Sequence, residues 1–193
     1  MEYIFDIETA PLKPGEHTRV TEQNEVQDIG GLSPVTGKII AIGLLHQDKP
    51  YIFTGHEKTI LTDFWQTLKT LADSEKGYVK LIGFNIKQFD IHFLLVRSLA
   101  HKIAILPFTR RQVIDLRDYL TFFHTYMKKG TLNDYARIIG IDGKHDNIQN
   151  SDIPKLYENG DIAQIKKYVE QDIKITAELY KACKEIGILN ISY

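Results

Sequence analysis

The chain has 193 residues, 43% hydrophobic and 25% charged, a composition ordinary for a soluble globular protein and long enough for one well-buried core. A net charge of −1 neither advertises nor excludes a nucleic-acid partner, and the lone Cys183 excludes an intramolecular disulfide and fits a reducing, cytoplasmic compartment. No apolar run approaches the roughly 20 residues needed to span a bilayer, so no membrane role is expected, and the opening MEYIFDIETA lacks the basic-then-apolar order of a signal peptide.

Residues 2–8 (EYIFDIE) are rich in β-branched and aromatic types and predict a first strand. A polar stretch over 10–37, with three prolines and no clear period, predicts a long loop insertion. Residues 38–45 and 50–54 predict two further strands joined by a short turn. Ile60, Leu61, Phe64, Trp65, Leu68, Leu71 and Ala72 recur at helical spacing and predict an amphipathic helix over about 57–73. A short strand follows at 80–84, then a largely buried helix at 89–100. Residues 113–115 predict a fifth strand, 116–123 a helix, 131–139 another, and 140–152 a polar loop. The last helix, about 161–186, ends at Gly187; its apolar stripe runs through Ile162, Ile165, Val169, Ile173, Thr176, Leu179, Tyr180 and Cys183. Strands first, then strands alternating with helices, predict an α/β fold with a mixed sheet, forming a single domain over 1–193.

Four carboxylates stand where burial makes them costly. Asp6 and Glu8, two apart on an apolar strand, project from the same face. Two like charges held close and half buried repel and lose hydration, unless a cation lies between them or one is protonated. Asp172 interrupts the apolar stripe of the last helix, and Tyr168, four residues earlier, shares its face. Asp90 opens a helix whose other residues are mostly apolar, directly after the strand that ends near Phe84. Taken singly, each has an ordinary explanation: a salt bridge at a strand end, a lysine partner on the helix, a first-turn aspartate on the helix dipole. Together they suggest acids that converge and need divalent cations, and oxygen-only ligands favour Mg²⁺ or Mn²⁺ over zinc.

The segments FDIET (5–9), NIKQFD (85–90) and YVEQD (168–172), in this order, make the chain resemble the DEDDy group of 3′–5′ exonucleases of the ribonuclease H-like superfamily. The wording of the first two segments looks most like the proofreading domain of family B DNA polymerases, and more narrowly like stand-alone predicted exonucleases related to it. The resemblance implies a three-layer fold with a mixed five-stranded sheet flanked by helices. It implies hydrolysis of a single-stranded 3′ end, of DNA or alternatively of RNA as in ribonuclease D, releasing nucleoside 5′-monophosphates. It implies two Mg²⁺ or Mn²⁺ ions held by Asp6, Glu8, Asp90 and Asp172, with Tyr168 orienting the attacking water. A tyrosine hydroxyl, with a pKa of about 10, is protonated at neutral pH and suits that role better than a base. Thr9, Asn85 and Phe89 are the candidates to contact the terminal nucleotides, Phe89 by base stacking or else as a core aromatic. Lys144, with Arg110, Arg111, Lys128 and Lys129, is a candidate for phosphate contacts. A non-catalytic nucleic-acid-binding module on the same fold is the remaining alternative, and the presence of all four acids and the tyrosine argues against it.

Overall fold

The computed structural model describes residues 1–22, 24, 26–75, 78–124, 129–141 and 148–191. Strand β1 (Glu2–Pro11) leads into a small ribbon of β2 (Thr18–Val20) and β3 (Val26–Asp28), then β4 (Gly37–His46), β5 (Lys49–Thr54) and helix α1 (Glu57–Glu75). Strand β6 (Lys80–Gly83), helix α2 (Asp90–His101) and strand β7 (Val113–Asp115) follow. Helices α3 (Leu116–Leu120), α4 (Leu132–Ile138), α5 (Ile153–Glu158) and α6 (Ile162–Glu185) complete the chain. The main sheet is five-stranded, in the order β5-β4-β1-β6-β7. Its first three strands are antiparallel, while β6 and β7 join β1 in parallel, so the sheet is mixed as expected.

Alternation along β1 builds two cores. Tyr3, Phe5 and Ile7 face α1 and α2, where they meet Phe64, Trp65, Leu68 and Phe93. Ile4, on the other face, packs with Ile173, Leu179 and Tyr180 of α6 and with Leu116 of α3. The sheet is thus covered by α1 and α2 on one side and by α6 with its short companions on the other, a three-layer arrangement. Asp6 and Glu8 share the face of Ile4, so the strand's own periodicity aims both acids toward α6.

Gly43 sits opposite Asp6 in the β1–β4 ladder. A Cβ there would lie 3.0 Å from Ile173 Cγ2 and 3.0 Å from Val169 Cγ2. The missing side chain lets α6 lie close against the sheet where it carries Tyr168 and Asp172. The helix ends as its sequence indicates, with Gly187 in the left-handed region at φ 81°.

Three sequence expectations need correction. The insertion over 10–37 is not an unstructured loop: β1 runs on to Pro11, β2 pairs with β3, and a 3-10 turn over Gly30–Leu32 packs against β1. This excursion is also tied to the helical layer, because Arg97 of α2 donates to Pro34 O at 3.3 Å and to Glu57 Oε2 at 2.7 Å. The helix expected over 116–123 stops at Leu120, because Phe122 and Phe123 both adopt positive φ, at 49° and 58°. Part of the polar segment before the last helix is ordered: Asn150–Asp152 forms a 3-10 turn that enters α5. Residues 142–147 of that segment lie outside the described residues. No helix among the described residues is long and apolar enough to cross a membrane.

Candidate metal centre

One carboxylate oxygen each from Asp6, Glu8 and Asp172 lies within 4.8 Å of the other two. Strand β1 supplies two of these acids and α6 the third. Glu8 is 8% exposed and Asp172 6% exposed, so the cluster is largely withdrawn from water. Three carboxylates packed this way repel strongly, and Lys174, two residues from Asp172, pairs instead with Glu170 at 2.6 Å. The donor set fits a hard divalent cation. It is all oxygen, it is anionic, and the oxygens are near enough to share one ion, which suits Mg²⁺ or Mn²⁺ better than a softer metal.

Asp90 joins the cluster by a different route. The β1–β6 ladder covers only Glu2–Ile4 of β1. Beyond it, β6 turns away and Asp90, the first residue of α2, takes its place: Asp90 Oδ1 accepts the N–H of Ile7 at 3.0 Å. The fourth acid is therefore hydrogen-bonded to the backbone between the first two, without being one of the three mutually close ligands. It is 3% exposed. Burial, and then the charges of Asp115 and Asp172, push its carboxyl up to about 7, against the opposing N–H donations from its own amide and from Ile7.

Tyr168 lies one helical turn before Asp172 and is 4% exposed. Its hydroxyl donates to Asn150 Oδ1 in the 3-10 turn before α5. Burial, followed by the negative charges of Asp172, Glu8 and Asp6, holds the phenol well above its ordinary pKa. It is therefore a neutral hydroxyl beside the acid cluster. Asn150 was not anticipated, and a single asparagine in a polar segment carries no signal that would have found it.

Asn85 and Phe89 lie in the turn between β6 and Asp90. Asn85 adopts φ 64°, and among the described residues nothing donates to its buried Oδ1. Its backbone carbonyl accepts the amides of Gln88 and Phe89, each at 3.3 Å. Phe89 is half-buried, packs against the core on the α1–α2 side and meets the Phe93 ring at 4.9 Å, so it has a core role and a partly accessible ring together. Thr9 lies just past a bulge between Glu8 and Thr9, and its hydroxyl donates to Gly31 O at 2.7 Å. The side chain of Thr9 thus holds the excursion after β1. Arg110 and Arg111 are exposed on a 3-10 turn before β7. Lys144 and Lys128 lie outside the described residues.

Residues 36–187 match the family model described as predicted 3′–5′ exonucleases related to the exonuclease domain of PolB. That match contains the NIKQFD and YVEQD segments, while Asp6 and Glu8 precede it. An uncharacterised protein of Methanocaldococcus jannaschii, MJ0365, is 37% identical over 169 residues, covering 82% of this chain and 93% of that protein. Among solved structures, the family B DNA polymerase of Pyrobaculum calidifontis superposes with a TM-score of 0.71 at 15% identity, over 97% of this chain. The chain spans a quarter of that polymerase's length (25%), and the likeness is one of fold.

Proposed function

Because the chain belongs to the family of predicted 3′–5′ exonucleases related to the exonuclease domain of PolB, we propose that it hydrolyses single-stranded nucleic acid, DNA foremost, from the 3′ end and releases nucleoside 5′-monophosphates. The observation that carries this reading is the convergence of Asp6, Glu8 and Asp172 beside a buried, neutral Tyr168. Two Mg²⁺ or Mn²⁺ ions, when bound, supply the positive charge that activates a water and stabilises the phosphorane and the leaving 3′ oxygen.

The chain's own residues then have separate tasks. Asp6, Glu8 and Asp172 hold the cations. Asp90, its Oδ1 held by the Ile7 amide, would complete the set. Tyr168 donates its hydroxyl hydrogen bond to Asn150 Oδ1, and a phenol oxygen can also accept one from a water. In that arrangement it accepts a hydrogen bond from the nucleophile and orients it, without removing a proton. Asn85 and Phe89 border the site, and they suit contacts to the last nucleotides, the ring by stacking.

The test is digestion of 3′-labelled and 5′-labelled single-stranded DNA and RNA with Mg²⁺, Mn²⁺ or EDTA. The expected result is stepwise shortening from the 3′ end, stopped by EDTA, with 5′-monophosphate products. Faster digestion of RNA would move the substrate to the ribonuclease D type. Binding of either strand with no metal-stimulated hydrolysis would overturn the enzyme reading.

A further inference from the structure

Asp115 ends β7 and is completely buried, at 0% exposure. A carboxylate in that position needs strong compensation, and the structure supplies it from backbone amides. Oδ1 accepts the N–H of Asn85 at 2.8 Å and that of Arg117 at 3.1 Å. Oδ2 accepts the N–H of Lys87 at 3.0 Å. The Arg117 bond is an ordinary N-cap of α3. The other two are not needed for any helix. They reach across to the turn after β6 and hold Asn85, with its positive φ of 64°, and Lys87 together.

That turn is continuous with Asp90. The Asn85 carbonyl takes the amides of Gln88 and Phe89, and Ile86 O takes the amide of Ile91 at 2.9 Å. One end of this hydrogen-bonded unit is clamped by Asp115; the other delivers Asp90 Oδ1 to the Ile7 amide between Asp6 and Glu8. An asparagine at 115 could not serve equally, because one of its two terminal atoms donates where both oxygens now accept.

We propose that Asp115 is a positioning residue for the metal centre: its carboxylate fixes the turn over residues 85–89, and thereby places Asp90 and Asn85 against the acids of β1. This rests on the exonuclease reading given above.

The test uses the full chain and the variant Asp115→Asn, with Val113→Ala on the same strand as a control for destabilisation. Hydrogen exchange reads the clamp directly. With the charge-assisted bonds weakened, the Asn85 and Lys87 amides are expected to exchange about tenfold faster or more in Asp115→Asn. Mn²⁺ affinity, measured by calorimetry without substrate, is expected to fall about 10–100-fold, with a parallel fall in kcat and little change in KM for the oligonucleotide. Val113→Ala is expected to lower the melting temperature while leaving Mn²⁺ affinity within about twofold of wild type. Unchanged exchange at Asn85 and Lys87 would overturn the proposal, as would faster exchange with unaltered Mn²⁺ affinity. An equal loss of affinity in Val113→Ala would overturn it too. A wild-type chain that binds no Mn²⁺ would instead overturn the exonuclease reading and this role with it.

Discussion

Asp90→Asn should stabilise the metal-free protein at neutral and alkaline pH while weakening its response to divalent ions. The carboxyl of Asp90 is raised from 3.8 to about 7 in the folded chain. At about 1.4 kcal/mol per tenfold change in proton affinity, holding Asp90 ionised in the fold costs on the order of 4 kcal/mol relative to the unfolded chain. The sign follows from proton counting. Between pH 4 and 7 the folded chain retains a proton that the unfolded chain has lost, so wild-type stability falls as pH rises through this window. Below pH 4 both states are protonated and the burden vanishes. Asparagine keeps an oxygen for the Ile7 amide and carries no charge, but its NH₂ adds buried donors that cost about 1–2 kcal/mol. The net gain at pH 8 is then roughly 2–3 kcal/mol, or about 5–10 °C in melting temperature for a chain of this size. Thermal melts in EDTA at pH 4 and pH 8 measure it. The variant should lie above wild type at pH 8 and at or slightly below it at pH 4, and Mn²⁺ should raise the wild-type melting temperature more than the variant's. A difference of the same sign and size at both pH values would refute the claim that a buried charge burdens the empty site.

Asp6→Ala and Asp172→Ala should each abolish nucleotide release and Mn²⁺-dependent stabilisation while leaving the circular dichroism spectrum unchanged; normal hydrolysis by either purified variant would reject its place among the ligands. Tyr168→Phe should slow the chemical step about 10–100-fold, the scale of a lost orienting contact, without altering Mn²⁺ affinity, and single-turnover kinetics read this. Gly43→Val should destabilise by about 1–3 kcal/mol through overpacking against Val169 and Ile173, and should lower kcat as α6 is displaced from β1; urea denaturation alongside the exonuclease assay checks both.

Much of the site was legible because its acids violate the pattern around them. Asp6 and Glu8 interrupt a strand that otherwise reads as core, and Asp172 interrupts a helix stripe, so periodicity alone marks them as misplaced and assigns their facing. Asp90 was harder to weigh, since a first-turn aspartate is ordinary, and its bond to the Ile7 amide depends on where β6 ends. Asp115 left only a faint trace, an acid closing the apolar strand VID, because its partners are main-chain amides some thirty residues away and amides have no sequence signature. The β2–β3 ribbon and α5 escaped for a related reason. Three-residue strands and a six-residue helix containing Pro154 are too short to show a period, and they are stabilised by what they pack against. The early stop of α3 turns on the positive φ of Phe122 and Phe123, a conformation that phenylalanine gives no reason to expect.

The placement of the acids on β1 and α6, far apart in chain order, has a consequence for biogenesis. Chains emerge from the ribosome N-terminus first and fold in that order, so β1, the neighbouring strands and α1 can assemble well before α6 exists. Until α6 docks, the sheet face carrying Asp6 and Glu8 lacks its third carboxylate and its tyrosine. Docking is secured at the opposite end of the helix as well, where Tyr180 and Lys184 both reach Glu2, at 2.6 Å and 2.9 Å. On the exonuclease reading proposed above, the acid cluster is therefore complete only once α6 has been made and seated against β1.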